Sequence, residues 1–331
     1  MERTQTADRP ATPDDAQRIV DLINAEARRF TGEDRVTLAD LRREWDDPNV
    51  SLDTDTRIVQ SAGGTVLAFA DYANHSTPHV QGYGFVSLAA DPQATAAGAR
   101  LVKWLVERAQ ADVPRAPAGA RVTLITMGLI DNDRLLGIWR DAGFVETRRY
   151  FEMRMNLEEA PPVAPPHGYE LRAMLAGDER AIFETLEGAF RDHHGYVEPT
   201  SVDEEFARWR RHFLESEDFD PALQSVAVDA GGTIVGASMC RPRHGSDETT
   251  GWVAMLGVAA GHRRHGLGEA LLRRSFAVLR DHGRRAVGLG VDGESLTNAT
   301  RLYEKCGMHR HRVYAQLSLV LRDGEELANT G

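Results

Sequence analysis

The chain alternates short apolar runs with longer stretches of mixed polarity. Val253-Ala254-Met255-Leu256-Gly257-Val258 is a continuous apolar run, the pattern of a buried strand. A helix-like stretch opening with Glu269-Ala270-Leu271-Leu272 follows it, so this segment reads strand, loop, helix. Residues 57–68 and 225–236 each hold two β-rich runs joined by a Gly-Gly turn, Gly63-Gly64 and Gly231-Gly232, which predicts hairpins. Ile138-Trp139-Arg140-Asp141-Ala142-Gly143-Phe144 and Leu302-Tyr303-Glu304-Lys305-Cys306-Gly307-Met308 each read as a helix end, a C-cap glycine and the start of a strand. Asp15-Ala16-Gln17-Arg18-Ile19 and Glu179-Arg180-Ala181-Ile182-Phe183 open helices.

These segments come in pairs. The hairpins match at an offset of 168 residues, and the helix-to-strand segments at an offset of 164. Two copies therefore run in tandem, each reading helix, helix, hairpin, strand, loop, helix, strand, helix, strand. That is a mixed α/β (α+β) domain with a central sheet. The expected boundaries are residues 1–157, a linker at 158–167 and residues 168–331. Pro161, Pro162, Pro165 and Pro166 favour a stiff, extended linker.

A length of 331 residues suits about two domains. The net charge of −11 argues against a general nucleic-acid surface, so any anion site must be local. Basic residues are almost all arginine, the lysines being Lys103 and Lys305, and no Gly-Lys-Ser/Thr phosphate loop is present. Cys240 and Cys306 lie far apart without metal-ligand spacing, so neither a disulfide framework nor a metal site is expected, and Cys306 reads as a core residue. The polar segment 1–15 has no apolar core of a signal peptide, and no run approaches 18 apolar residues. The expectation is a soluble cytoplasmic protein without a membrane partner.

The loop between the strand and the helix carries the chemistry. Arg263-Arg264-His265-Gly266-Leu267-Gly268 is basic and glycine-rich, and it leads into a helix start. Unpaired N–H groups and the helix dipole there favour an anion, and glycine lets a phosphate approach the backbone. Gly288-Leu289-Gly290-Val291-Asp292-Gly293 also fits a dinucleotide fingerprint by letter, which would make a dehydrogenase. Its glycines lie within a strand-like run and no helix opens at the third, so the context is wrong.

The spacing Arg263-x-x-Gly266-x-Gly268 after a strand resembles the pyrophosphate loop of the GNAT acyltransferases. Val291 to Met308, with Asn298 and then Leu302-Tyr303-Glu304-Lys305-Cys306-Gly307-Met308, is similar to that family's second signature. A tandem pair with an intact C-terminal copy, together with Phe190-Arg191-Asp192-His193-His194-Gly195-Tyr196, further resembles its mycothiol synthase-like group. The resemblance implies a mixed, mostly antiparallel sheet flanked by helices in each copy. It implies acetyl-CoA as co-substrate, with no metal. The N–H groups from Arg264 through His265, Gly266, Leu267 and Gly268 to Glu269 would hold the pyrophosphate, with Arg263 opening the motif. The strand Met255 to Val258, with Leu256, Gly257 and Val258 as binding residues, would pair with the pantetheine arm through its backbone. An N–H near Leu256 would stabilise the oxyanion, Tyr303 would protonate the departing thiolate, and Asn298 would bond the pantetheine or the helix start. Family members often carry a glutamate base four residues before the Val258 position. Ala254 stands there instead, leaving His193, His194 or Glu248 as base candidates, with Asp192 beside them.

The same offsets put Thr95, Gly98 and Arg100 at the positions of Arg263, Gly266 and Gly268, Trp139 at that of Tyr303 and Arg134 at that of Asn298. An indole cannot protonate a thiolate. The N-terminal copy is therefore expected to be non-catalytic. The reading is an N-acyltransferase acting on a primary amine of a small molecule, working as a monomer or homodimer. A CoA-binding sensor or scaffold without turnover is the alternative.

Overall fold

The computed structural model describes residues 7–75, 77–160, 162–294 and 299–330. The chain divides into two compact units. Unit 1 comprises residues 1–149 and 314–327, and unit 2 comprises residues 150–313 and 328–331.

Unit 1 runs β1 (Ala7–Arg9), α1 (Ala16–Thr31), α2 (Leu38–Trp45), α3 (Leu52–Asp55), β2 (Thr56–Gln60), β3 (Val66–Ala73), β4 (Gln81–Leu88), α4 (Ala94–Asp112), β5 (Val122–Leu129) and α5 (Asp133–Asp141). The strand β6 (Val145–Asn156) carries the chain into unit 2. Unit 2 continues with β7 (Tyr169–Ala173), α6 (Glu179–Phe190), α7 (Val202–Trp209), β8 (Ser225–Asp229), β9 (Ile234–Arg241), β10 (Thr250–Val258), α8 (Leu267–Asp281), β11 (Ala286–Asp292) and α9 (Ala299–Lys305). Last comes β12 (His309–Arg322), which leads back into unit 1.

Each unit is a mixed, mostly antiparallel sheet flanked by helices. Within unit 1 the order is β1-β2-β3-β4-β5-β12, and within unit 2 it is β7-β8-β9-β10-β11-β6. Between the named strands, the parallel pairing described in each is short: Gln81–Tyr83 of β4 with Thr123–Ile125 of β5, and Thr250–Trp252 of β10 with Ala286–Gly288 of β11. The helices bury apolar stripes at helical spacing, such as Leu267, Ala270, Leu271, Ser275, Phe276 and Leu279 of α8. Gly64 and Gly232 sit at φ 82° and 83° in the hairpin turns, as the Gly-Gly pairs predict.

The units depart from the contiguous division at 157 and 168. Residues Tyr150–Asn156 of β6 pair antiparallel with β11, and Tyr314–Arg322 of β12 pair antiparallel with β5. Each unit thus takes a strand from the end of the other half of the sequence. Register decides this outcome: Met153 and Met155 join the buried cluster around Phe276 and Leu289, while Ala315 and Leu317 join the one around Leu101 and Trp139. The linker belongs to unit 2, where Arg273 Nη1 donates to Pro162 O at 3.4 Å.

Two edge strands were not read from sequence, and they carry a repeated ion pair. Arg9 bonds Asp15 through both terminal nitrogens at 2.6 and 2.9 Å, and Arg172 bonds Asp178 at 2.6 and 3.1 Å. Asp15 therefore corresponds to Asp178, one residue earlier than its alignment with Glu179.

Leu317→Ala tests the exchange of strands. Removing this fully buried side chain should cost about 2–5 kcal/mol. Hydrogen exchange should rise in residues 122–129. A loss of protection confined to residues 286–292 would show that β12 supports unit 2 instead.

Candidate active site

The site begins where β10 parts from β11. After Trp252 the two strands no longer pair, while β9 follows β10 to its end. The β9–β10 register shifts between Val253 and Met255, which makes Ala254 the bulged residue. A bulge adds local twist and re-aims the strand, so β10 leaves its parallel neighbour here. The direction of its free backbone follows from the ladder. Ala259 N donates to Val235 O at 2.9 Å, so by antiparallel alternation Gly257 and Met255 also bond β9. Leu256 and Val258 then turn their N–H and C=O groups to the opposite side, where β11 has separated.

A cleft of about 640 Å³ fills that side. Leu256, Gly257, Val258, Arg263, Arg264, Gly266, Leu267, Gly268, Glu269 and Tyr303 line it. A second hollow of about 220 Å³ shares His193, Leu256, Ala299 and Tyr303 and adds Tyr150, Phe190, His194, Ala254, Met255 and Asp292.

The glycine loop closes one end of the larger cleft. Arg264 and Gly266 adopt left-handed conformations at φ 65° and 81°, and α8 starts at Leu267. The N–H of Ala270 donates back to Gly266 O at 3.0 Å, so those of Leu267, Gly268 and Glu269 lie ahead of the helix's own ladder. A Cβ on Gly268 would meet Leu302 at an ordinary 3.5 Å, so no protein neighbour demands this glycine; its face toward the cleft is the reason left. The Glu269 carboxylate is engaged by Lys305 and Arg273, each at 2.6 Å, which ties α8 to α9 and holds its pKa below the usual value.

The Arg263 side chain turns toward the protein. Its Nε donates to Val258 O at 3.1 Å, Nη2 to Ala189 O at 2.9 Å and Nη1 to Asp192 at 2.7 Å. His265 does not line the cleft; its ring lies 6.3 Å from that of Tyr169.

Tyr303 is 9% exposed and borders both hollows. Burial pushes its phenol up to about 12, so it is protonated near neutrality and can only give a proton. His193 also borders both hollows, edge-on to Phe190 at 4.9 Å. Desolvation and then Arg263 lower its pKa, against Asp292 and Asp192, which keeps it neutral and able to accept a proton. His194 borders the smaller hollow, and its buried Nδ1 has no hydrogen-bond partner.

Glu248 is exposed and precedes Thr250, at the end of β10 remote from Leu256, about 20 Å along the strand. The structure does not bring it to the cleft. Asn298 lies outside the described residues. Phe190 and Met255, from segments the resemblance singled out, border the smaller hollow together with Tyr150 and Asp292, which were missed; the strand exchange sets Tyr150 opposite Asp292 and leaves no local signal. Gly288 and Gly290 of the fingerprint-like run sit within β11, and Gly293 follows its last residue in a turn. A Cβ on Gly288 would meet the Trp252 ring at 2.7 Å, which explains that glycine without a nucleotide. Cys306 is buried, as expected.

The corresponding gap in unit 1 is filled. Ala68 of β3 pairs with Leu88 as Gly236 of β9 pairs with Val258, so Leu88 is the counterpart of Val258. Its N–H donates to the Glu26 carboxylate at 3.2 Å, which also accepts from Ser87 Oγ at 2.6 Å and Asn132 Nδ2 at 3.3 Å. Trp139, 1% exposed, packs beside Gly84, the first β4 residue past the parallel pairing. Arg134 bonds Thr95 Oγ1, Ala89 O and Asp91 O at 2.6–2.9 Å. Residues 89–93 form a shorter connection than residues 259–266, so Gly98 falls inside α4, packed against Leu88 and Ile138, instead of in a loop. A cavity of about 40 Å³ remains, lined by Glu26, Asn132, Arg134 and neighbours.

A parted parallel pair with a glycine turn at the following helix defines a mixed α/β fold class, and the comparisons identify the family. Residues 180–308 match the acetyltransferase (GNAT) family. The chain is 34% identical over 172 residues to the mycothiol acetyltransferase of Pseudarthrobacter chlorophenolicus, covering 51% of each. It is 31% identical over 230 residues to that of Geodermatophilus obscurus, covering 62% of this chain and 72% of the relative. A GCN5-related N-acetyltransferase from Sphaerobacter thermophilus superposes with a TM-score of 0.81 at 30% identity over 97% of this chain and 98% of that one. A tandem GNAT protein from the clavulanic acid biosynthesis pathway shares the fold, with a TM-score of 0.64 at 15% identity over 97% of this chain and 100% of that one. The chain belongs to the GNAT acetyltransferase family and has its tandem fold. It spans about half the length of the first of these relatives. No described helix is long and apolar enough to cross a membrane.

The filled gap in unit 1 has a pH signature. Burial raises the Glu26 carboxyl above its ordinary value, against the donors from Ser87, Leu88 and Asn132. The folded unit therefore holds this proton more tightly than the unfolded chain, and its contribution to stability falls as pH rises from the unfolded value through the folded one. Denaturation of Glu26→Gln across pH 4–7 should lack that component, and a profile identical to the parent's would remove Glu26 from the network.

Proposed function

We propose that unit 2 transfers an acetyl group from acetyl-CoA to the primary amine of a small molecule by direct attack. The observation that carries this reading is the Leu256 N–H turned into a cleft whose walls also hold unpaired helix N–H groups and Tyr303. Backbone N–H groups at Leu267, Gly268 and Glu269 suit the pyrophosphate, and the open edge of β10 suits the pantetheine amides. Leu256 N–H would take the negative charge that develops on the thioester carbonyl oxygen, a kind of contact worth about 10²–10³ in rate. His193 would accept the amine's proton as the C–N bond forms. Tyr303 would give its proton to the sulfur as the C–S bond breaks.

His193 is the better base of the histidine pair, because it borders both hollows and His194 has a buried nitrogen without a partner. Asp292 gives the smaller hollow an anionic wall suited to an ammonium. Unit 1 serves as a silent partner, since Glu26, Trp139 and Arg134 take up the positions a donor would need. The first assay is CoA thiol release from acetyl-CoA across a panel of amines, with a mycothiol-type acceptor included because the relatives carry that name. If no amine raises release above background, a CoA-binding protein without turnover becomes the better reading.

Tyr303→Phe should lower kcat by roughly 10- to 10⁴-fold with acetyl-CoA affinity nearly intact. An unchanged kcat would take Tyr303 out of the reaction. The acid limb of kcat/KM should lie below the ordinary histidine value and vanish in His193→Gln, because activity is lost as His193 protonates on falling pH. Calorimetry should count one acetyl-CoA per chain; two would overturn the silent role of unit 1.

A further inference from the structure

We propose that Arg263 is a positioning residue: it clamps the glycine loop to the turn after α6, so that filling the donor cleft orders His193. This rests on the reading of unit 2 given above. A basic residue opening a phosphate loop would ordinarily be counted as a counter-ion to the ligand. The geometry here points elsewhere, because three guanidinium nitrogens are committed to acceptors of the protein itself.

Those acceptors lie at the end of β10, at the end of α6 and in the turn that follows α6. Val258 O is the last carbonyl of β10, on the strand side facing the cleft. Ala189 O is in the last turn of α6, where carbonyls lack helical partners and a cation is favoured. Asp192 follows one turn later and immediately precedes His193. The same turn is closed by His193 N donating to Phe190 O at 2.9 Å and by Tyr196 N donating to His193 O at 3.1 Å. One planar fork thus fixes a strand end, a helix end and the loop between β10 and α8. The Arg263–Asp192 pair is half exposed and by itself worth little, so the two carbonyl bonds carry the geometry.

The neighbouring residue of the loop, Arg264, lines the cleft in a left-handed conformation. Ligand contacts at Arg264 to Glu269 therefore act one residue away from the clamp. Unit 1 lacks the arrangement: its shorter connection is held by Arg134 of α5, which reaches no residue of α1.

The clamp can be tested without turnover. Unacetylated coenzyme A should slow hydrogen exchange in residues 189–196 of the parent protein and leave it unchanged in Arg263→Ala, with the variant still binding coenzyme A. The groups facing His193 are Asp192 on its own turn, Arg263 from the loop and Asp292 from the end of β11. Its titration by NMR should move upward in Arg263→Ala, which removes a positive neighbour, and downward in Asp192→Asn, which removes a negative one. The two shifts of opposite sign are not expected from a general loosening of the fold. Arg263→Lys keeps the charge but not the fork, so the titration should stay near the parent's while the exchange coupling is lost. With a competent amine, kcat/KM for that amine should fall by roughly 10- to 100-fold in Arg263→Ala, the scale of a small misplacement of a reacting group. The proposal is overturned if coenzyme A protects residues 189–196 equally in parent and Arg263→Ala, or protects them in neither. Failure of every amine in the parent would instead bring down the acetyl-transfer reading and leave the exchange result standing.

Discussion

The site depends on one constraint: β10 and β11 are parallel neighbours that pair over only three residues each before the bulge at Ala254 turns β10 away. A strand inside a sheet normally has both sides satisfied, and an unpaired buried edge is costly. Here β9 satisfies one side throughout, while the other opens onto a cleft. An added extended segment with amide groups is the natural way to complete that edge. The glycine loop stands at the end of the same opening because the strand leads directly into it. The open strand edge and the position of the glycine loop are thus consequences of a single irregularity in the ladder.

Unit 1 shows the same opening filled by the protein's own side chains. Its parallel pairing is equally short, and Leu88 presents its N–H to the gap. The carboxylate of Glu26 accepts that N–H, an indole occupies the space beside Gly84, and a guanidinium spans the turn before α4. These three groups come from α1 and α5. A buried donor left without a partner costs about 1–3 kcal/mol, so filling the gap from within is the stable alternative to a ligand.

Much of this was legible in the sequence where the signal is local. Gly-Gly hairpins, C-cap glycines and the glycine loop each report a backbone conformation that only nearby residues determine, and the repeat made each visible twice. Tyr303 was singled out through the resemblance of Val291 to Met308 to the family's second signature, which is itself a local pattern. The exchange of β6 and β12 was not, because strand partners are chosen by register and buried pattern across the whole chain. Glu26 was invisible for a related reason: a glutamate in an amphipathic helix looks the same whether it faces solvent or a strand edge. The Gly98 alignment failed because the shorter connection shifts the helix start, and a constant offset cannot follow a deletion. Arg263 was noticed as a charge, although its bonds make it a clamp.

Burial is the largest cause that sets the proposed reaction's acid and base apart. Desolvation disfavours whichever form of a group is charged, so it acts in opposite directions on a phenol and an imidazole. Tyr303 is driven up and stays protonated, whereas His193 is driven down and stays neutral. One environment thus leaves a proton donor and a proton acceptor at the two hollows' common wall, which is the assignment direct amine attack on a thioester requires. Arg263 adds to the effect on His193 from the side of the donor loop. Moving a glutamate base back to position 254 would place a second carboxylate in the hollow that Asp292 already borders, and like charges there would raise both pKa values. The alanine at the bulge and the histidine across the cleft are, on this argument, two halves of one solution.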